Sequence, residues 1–137
     1  MDQRLSFVTL AVADLARTHA FYVEGLGWRP ELYEPDEVLM IRLGERLVLS
    51  LWAEREFEAE VGPIRRGSGV APITLAHNVR TEAEVDQVLA RAEGLGAELS
   101  PPQRREWGGY TGYFADPDGF RWEVATNPGP IGQLVLP

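Results

Sequence analysis

The fold is decided by the stretch Ser6-Phe-Val-Thr-Leu-Ala-Val-Ala-Asp-Leu-Ala-Arg-Thr-His-Ala-Phe-Tyr-Val-Glu-Gly-Leu-Gly27. Its first seven residues, 6–12, are mostly β-branched or apolar and predict a strand. Asp14 then stands where a helix N-cap is expected, and apolar residues follow at helical spacing. The triplet 25–27 predicts the end of that helix, because glycine tolerates the left-handed conformation of a helix C-cap.

The same order of patterns recurs in the second half of the chain. Residues 73–79 predict a strand, and Thr81-Glu-Ala-Glu84 has the pattern of a capping box. Between residues 85 and 92 the apolar side chains fall at i, i+3, i+4 and i+7, which predicts one buried stripe on a helix. The triplet Gly-Leu-Gly returns at 94–96. Such a repeat indicates a fold made of two similar units.

Three extended segments follow each glycine triplet. We predict strands at about 28–34, 37–43 and 46–52 in the first half, and at about 97–100, 109–115 and 120–126 in the second. The last two strands of each half are joined by tight turns, at Gly44-Glu45 and Asp118-Gly119. Each half therefore predicts the order β-α-β-β-β in an α+β fold.

These segments divide the single predicted domain into two modules and a tail. We expect the first βαβββ module at 4–58, the second at 70–128, and a tail at 129–137. Residues 53–72, rich in Glu, Gly and Pro, are predicted to be a linker.

Composition excludes several classes of function. The 137 residues include 45% hydrophobic and 25% charged side chains, as in an ordinary globular domain, and no cysteine, which excludes disulfides and thiolate metal sites. The formal net charge of −8 argues against nucleic acid as a partner and mildly favours cationic ligands. No apolar run approaches the roughly 20 residues of a membrane span, and no targeting leader is visible, so we expect a cytoplasmic protein.

Three stretches resemble one known family. They are Val12-Ala-Asp-Leu-Ala-Arg-Thr-His-Ala-Phe-Tyr22 with Leu26-Gly-Trp28, Leu75-Ala-His-Asn-Val79, and Trp107 to Ala125, which includes Asp-Pro-Asp-Gly and Trp-Glu-Val. With the repeat they make the chain similar to the vicinal-oxygen-chelate superfamily, the glyoxalase/bleomycin resistance protein/extradiol dioxygenase group. The resemblance implies two modules whose mixed sheets form cups around a cleft, often between the two subunits of a homodimer.

In that superfamily a divalent metal is held by His, Glu or Gln side chains on the first and last strands of each half. The resemblance puts those four ligand positions at Phe7, Ser50, Thr74 and Glu123. Only Glu123 is a competent ligand, and divalent metals need several donors in one coordination sphere. We therefore predict that no metal or other cofactor is bound, with a divalent metal as the alternative.

Glu123 and His77 are the candidate catalytic residues. Partial burial would raise the pKa of Glu123 and suit it as a general base, although it could equally pair with an arginine such as Arg42 or be a remnant of the metal site. His77, on the strand 73–79, could act as an acid or base near neutral pH, or be a core residue hydrogen-bonded against the helix. His19, inside the first helix, is interpreted as a packing residue.

Four aromatic residues could form the wall of a small-molecule site: Trp52, Trp107, Tyr110 and Tyr113. Ordinary packing is the alternative for each. Phe7, Ser50 and Thr74, at the positions without a competent metal ligand, are further candidates for contact with the ligand. We read Asp116-Pro-Asp-Gly119 as a tight turn, because it matches no calcium-loop spacing.

Three functions stay open. The first is a metal-independent protein of the bleomycin-resistance type that binds a small amphipathic or cationic molecule. The second is a glyoxalase-class lyase, isomerase or dioxygenase that uses Glu123 as base or metal ligand. The third is an interaction module whose cups are filled by its own side chains.

Overall fold

The computed structural model describes residues 1–136, which form two compact units divided between Ser68 and Gly69. Each unit contains one four-stranded mixed sheet. The strands of the first are β1 (Phe7–Val12), β2 (Pro30–Glu34), β3 (Val38–Leu43) and β4 (Leu47–Ala53). Those of the second are β5 (Thr74–Asn78), β6 (Leu99–Arg104), β7 (Tyr110–Ala115) and β8 (Arg121–Thr126).

The two sheets have the same topology, as the repeat predicts. Their strand orders are β1-β4-β3-β2 and β5-β8-β7-β6. In each sheet the first strand pairs with the last in parallel and the other pairs are antiparallel. The doubled β-α-β-β-β order and the α+β class predicted from the sequence are confirmed.

The helices are α1 (Leu15–His19), α2 (Glu54–Glu60), α3 (Glu82–Gly94) and α4 (Pro130–Leu134), and α1 continues as a π-helical segment, Ala20–Gly25. The sequence predicted an ordinary α-helix where the π-helical segment lies. It also predicted only a linker where α2 forms. The longest of these helices has 13 residues, and in residues 1–136 no helix has the length and hydropathy of a bilayer span.

Local capping explains where the two long helical stretches begin and end. The Asp14 carboxylate accepts a hydrogen bond from the Arg17 amide at 3.0 Å, and Thr81 and Glu84 form a complete capping box. At the other ends, Gly27 and Gly96 adopt φ of +78° and +86°, the left-handed conformation that glycine tolerates. The predicted caps and glycine stops are therefore present.

In each sheet one face carries the apolar core of its unit. In the first unit the buried strand residues on that face are Leu10, Val12, Leu39, Ile41, Leu49 and Leu51. His19 of α1 stacks on Tyr33 on this same face, with ring centroids 4.3 Å apart, so this face lies against α1. In the second unit Phe114, Trp122 and Val124 are buried on the face toward α3. We call the opposite face of each sheet its far face.

Candidate functional site

The register of the strands puts the predicted metal-ligand positions on the far faces. In the first sheet Phe7 pairs with Val48 and Thr9 pairs with Ser50, so Phe7 and Ser50 share the far face. In the second sheet Ala76 pairs with Glu123, and Thr74 lies two residues earlier on the same side. Within each unit, the two positions named from the family resemblance thus lie on one face of the sheet.

The side chains at these positions do not fit a divalent metal. A phenyl ring, two neutral hydroxyls and one carboxylate lack the several His or carboxylate donors that such an ion requires. In residues 1–136 no three side chains of the His, Asp and Glu type lie close enough together to hold a metal ion.

Tyr113 and Glu123 form the polar centre of the far face of the second sheet. They are directly paired on β7 and β8, and both side chains are half-buried. Burial is the first cause of the raised pKa of Tyr113, and the negative charge of Glu123 adds to it, while Arg105 acts in the opposite direction. A carboxylate beside an aromatic ring can receive a cation or accept a hydrogen bond from a ligand.

His77 lies away from this pair. It pairs with Val124, so its side chain is on the face toward α3 and not on the far face, and it is exposed. Glu123 and His77, the two candidate catalytic residues, are therefore on opposite faces of the second sheet. The arginine suggested as a partner of Glu123, Arg42, instead forms an ion pair with Glu31, with Nε and Oε1 2.7 Å apart.

Tyr110 is also on the face toward α3. Its hydroxyl donates a hydrogen bond of 2.9 Å to the Asp86 carboxylate, and this hydrogen bond is the main cause of its raised pKa. Arg104 of β6, which is paired with Tyr110, likewise reaches α3 and binds the Glu82 carboxylate. Tyr110 thus joins β7 to α3 and does not share a face with Tyr113, although the sequence suggested both as parts of one aromatic wall.

Trp107 lies in the loop between β6 and β7, and 53% of it is exposed. Its indole ring covers Gly109 so closely that a Cβ added there would overlap the ring. Gly108 beside it has a φ of +91°. The two glycines therefore allow the ring to fold back over its own loop and present its other face outward.

Trp52 and Ser50 share the far face of the first sheet, at alternate positions of β4. Trp52 packs edge-on against Phe57 of α2, with ring centroids 6.4 Å apart. Both Ser50 Oγ and Trp52 Nε1 are buried without a hydrogen-bond partner in the described part of the chain.

Two far-face residues of the second sheet were not predicted from the sequence as site residues. Thr111 and Arg121 lie at alternate positions from Tyr113 and Glu123, and each has a buried polar atom without a partner in residues 1–136: Thr111 Oγ1 and Arg121 Nη1. The other terminal nitrogen of Arg121 lies 3.5 Å from both Glu98 oxygens. The period of two along β7 and β8, counted from Glu123, is the signal that could have found them.

Asp116-Pro-Asp-Gly119 is a turn, as predicted. The Asp116 carboxylate accepts hydrogen bonds from the amides of Asp118 and Phe120, at 3.0 and 2.9 Å, and Gly119 has a φ of +85°. This stretch sets the β7–β8 hairpin, and with it the pairing of Tyr113 with Glu123.

Known proteins share this architecture. A glyoxalase-related enzyme from Fulvimarina pelagi is 37% identical, with 92% of this chain and 89% of that chain covered and a TM-score of 0.82. The lactoylglutathione lyase of Agrobacterium tumefaciens is 27% identical over 91% of this chain and 94% of that one, with a TM-score of 0.70. The fosfomycin resistance protein FosX of Mesorhizobium loti, at 21% identity, TM-score 0.69 and coverages of 98% and 100%, shares the fold.

No curated protein sequence matches the chain. The family model described as Glyoxalase/Bleomycin resistance protein/Dioxygenase superfamily matches residues 4–124. With the doubled topology and the relatives above, this match shows that the chain belongs to the glyoxalase/bleomycin resistance protein/dioxygenase superfamily.

Proposed function

We propose that the protein binds a small amphipathic or cationic molecule without the help of a metal ion. The observation that carries the proposal is the Tyr113–Glu123 pair on the far face of the second sheet. In residues 1–136 no ion pair joins Glu123 to another side chain, and Arg121, two residues away on the same face, lies against Glu98 instead. The charge of Glu123 can therefore meet that of a ligand. The neighbouring phenol adds an aromatic surface with one polar group, which suits a molecule that is partly apolar.

The ligand positions of the superfamily support the metal-independent part of the proposal. Phe7 cannot donate to a metal, and the neutral hydroxyls of Ser50 and Thr74 are weak donors for a divalent ion. Binding would then rest on Glu123 and on the aromatic side chains themselves. The net charge of −8 would further attract a cation from a distance.

Isothermal titration with benzyltrimethylammonium tests the proposal, because this probe joins a cation to an aromatic body. We expect heat of binding in the presence of EDTA and a loss of most of that heat in Glu123→Gln. Glu93→Gln, which removes a carboxylate on the exposed side of α3, is the matched control and should bind as the wild type does. Equal binding by wild type and Glu123→Gln would refute the proposal.

A glyoxalase-class lyase, isomerase or dioxygenase is the alternative function. It is favoured by the half-buried Glu123 beside Tyr113, a setting in which a carboxylate can accept a proton from a substrate. His77 would not assist from the opposite face, so the activity would depend on Glu123 alone. Elemental analysis of protein purified without chelator separates the two functions: about one Zn, Ni, Mn or Fe per chain would favour a metalloenzyme.

We also propose that the protein forms a homodimer. Several large apolar side chains of the tail are exposed in the chain by itself, among them Ile131 at 71% and Leu134 at 78%. Apolar side chains that are exposed together favour an interface. Sedimentation of the whole chain and of a chain ending at Asn127 should give a dimer and a weaker dimer, respectively. Pro137, the last residue of this tail, lies outside the described residues.

A further inference from the structure

Two neighbouring side chains of β4 carry polar groups that are buried and unused. Ser50 is 1% exposed, and its Oγ has no hydrogen-bond partner in residues 1–136. The Trp52 side chain is half-buried, and its Nε1 is buried and also has no partner there. Buried polar atoms are satisfied in the great majority of cases, because leaving them without a hydrogen bond is unfavourable. Two such atoms on one face of one strand indicate a partner that is not part of this unit.

The nearest neighbours of the two groups are uncharged. On the far face Ser50 lies between Thr9 and Met40, and Trp52 lies between Ala11 and Val38. The charged residue of β3 on this face is Arg42, and Glu31 already neutralises it. Glu34 of β2 also lies on this face, exposed on the strand beyond Val38. A molecule beside Ser50 and Trp52 would therefore meet a mainly apolar surface with few polar side chains, one of which is Thr9.

The chemistry of these groups decides what they can bind. The indole N–H of Trp52 can only donate, and the Ser50 hydroxyl can donate or accept. Both can therefore be satisfied by an oxygen with two lone pairs, such as that of a ketone or amide. Between them the two polar groups offer a cation only one acceptor, the Ser50 oxygen, and they offer a carboxylate no positive charge.

Helix α2 covers this end of the face and packs on it lightly. Phe57 of α2 packs against the edge of the Trp52 ring, but α2 buries none of its residues fully. Arg66 holds the helix from outside through ion pairs with Glu54, at 2.8 Å, and Glu58, at 3.5 Å. The Arg66 side chain is 61% exposed in these pairs, so solvent weakens a contact that otherwise holds α2 in place.

We infer that Ser50 and Trp52 form a two-point anchor for the carbonyl-type oxygen of a neutral, largely apolar ligand that enters beneath α2. This inference rests on the proposed small-molecule binding and names the chemistry that the first sheet recognises. It differs from the cation recognition assigned to Glu123, since it depends on different residues in the other unit.

Acetophenone and ethylbenzene are the test pair, because they have nearly the same shape and only the first has an oxygen acceptor. The readout is the indole N–H resonance of Trp52 in ¹⁵N-labelled protein, identified by its loss in Trp52→Phe. We expect acetophenone to move this resonance downfield in a saturable titration, and ethylbenzene to move it much less. Ser50→Ala should weaken acetophenone binding about fivefold, the effect of one neutral hydrogen bond, without changing the response to ethylbenzene.

Ser68→Ala is the matched control for Ser50→Ala, because it removes an exposed serine hydroxyl outside both sheets and should leave the titration unchanged. Equal shifts by the two compounds, no shift with either, or a water signal at the Trp52 N–H that persists at saturating acetophenone would each overturn the inference. If Ser50→Ala fails to fold, the comparison of the two compounds on the wild type still decides. Binding of benzyltrimethylammonium through Glu123 with no response at Trp52 would overturn this inference alone, whereas failure of both probes would overturn the proposed function as well.

Discussion

Tyr110 and Tyr113 are three residues apart on β7, and their side chains lie on opposite faces of the sheet. Tyr113 is paired with Glu123 on the far face, whereas the hydroxyl of Tyr110 donates to Asp86 of α3. Both phenols have a raised pKa, but for different reasons: burial comes first for Tyr113, and the hydrogen bond to Asp86 comes first for Tyr110. One strand therefore carries a packing tyrosine and a candidate site tyrosine.

Glu123→Gln should lower the pKa of Tyr113. The charge of Glu123 disfavours the phenolate, so removing that charge makes ionisation easier, while burial keeps the pKa above its usual value. Because the raised pKa means that the fold favours the neutral phenol, Tyr113 contributes stability that is present below about pH 10 and is lost as the pH rises through its raised pKa. Absorbance of the phenolate during alkaline titration measures the change. Tyr113→Phe serves as the control that identifies the transition, and an unchanged titration in Glu123→Gln would contradict the pairing.

Glu84→Gln should remove part of the acid sensitivity of the fold. The pKa of Glu84 is lowered first by its hydrogen bond with the Thr81 side chain, then by the backbone of the same residue. A lowered pKa contributes stability above the ordinary carboxyl pKa, and this contribution is lost as the pH falls through the lowered value. The free energy of unfolding, measured with urea, should therefore fall less between pH 7 and pH 3 in Glu84→Gln than in the wild type. Glu93→Gln, also on α3 but outside the capping box, should keep the wild-type difference.

Gly112→Ala should destabilise the second unit by about 1–3 kcal/mol, the usual cost of overpacking a core. A Cβ at Gly112 would lie 2.5 Å from Leu89 Cδ1 of α3 and 3.1 Å from the backbone of Pro102 on the neighbouring strand. Gly94→Ala is the matched control, because nothing lies within 4 Å of a Cβ there and alanine favours a helix. We expect it to leave stability unchanged or to raise it by less than about 1 kcal/mol. The melting temperatures of the two variants, measured by thermal unfolding, test this prediction. Equal melting temperatures would show that α3 is not packed on Gly112.

Gly109→Ala should displace the indole of Trp107 from its loop. The added methyl would occupy the volume of the six-membered ring, so the ring must turn outward. We expect its fluorescence to become more accessible to acrylamide, and the loop of Trp107→Phe to tolerate the same alanine with a smaller loss of stability. Unchanged quenching in Gly109→Ala would show that the ring does not rest on that glycine.

The sequence predicts those parts of the fold that depend on residues close together in the chain. Asp14 and the Thr81–Glu84 box mark helix starts, the glycine triplets mark their ends, and alternation along the strands fixes which side chains share a face. Helix α2 was missed because its alternation of Glu with other residues resembles a charged linker. It is stabilised by Arg66, twelve residues from Glu54, and such a contact is not visible in a local pattern.

The candidate site was predictable only in part, for a similar reason. Alternate residues of a strand share a face, so counting by two from Glu123 reaches Arg121 on β8. Tyr110 was grouped with Tyr113 only because the two are close in sequence, and the pleat of β7 puts their side chains on opposite faces. The unused polar groups of Ser50 and Trp52 could not be predicted at all. Whether a buried hydroxyl or indole finds a partner depends on the three-dimensional neighbours, which the sequence pattern does not specify.

The π-helical segment after α1 has a consequence for how this half tolerates changes in length. A π-turn contains one residue more than an α-turn, as in the hydrogen bond from the Leu26 amide to the Phe21 carbonyl, 2.9 Å long and spanning five residues. Loss of one residue between Ala20 and Gly25 could convert the segment to ordinary α-helix without moving the strands on either side. The helix thus acts as a spacer of adjustable length, and a deletion there disturbs strand register less than a deletion within any strand of the sheet.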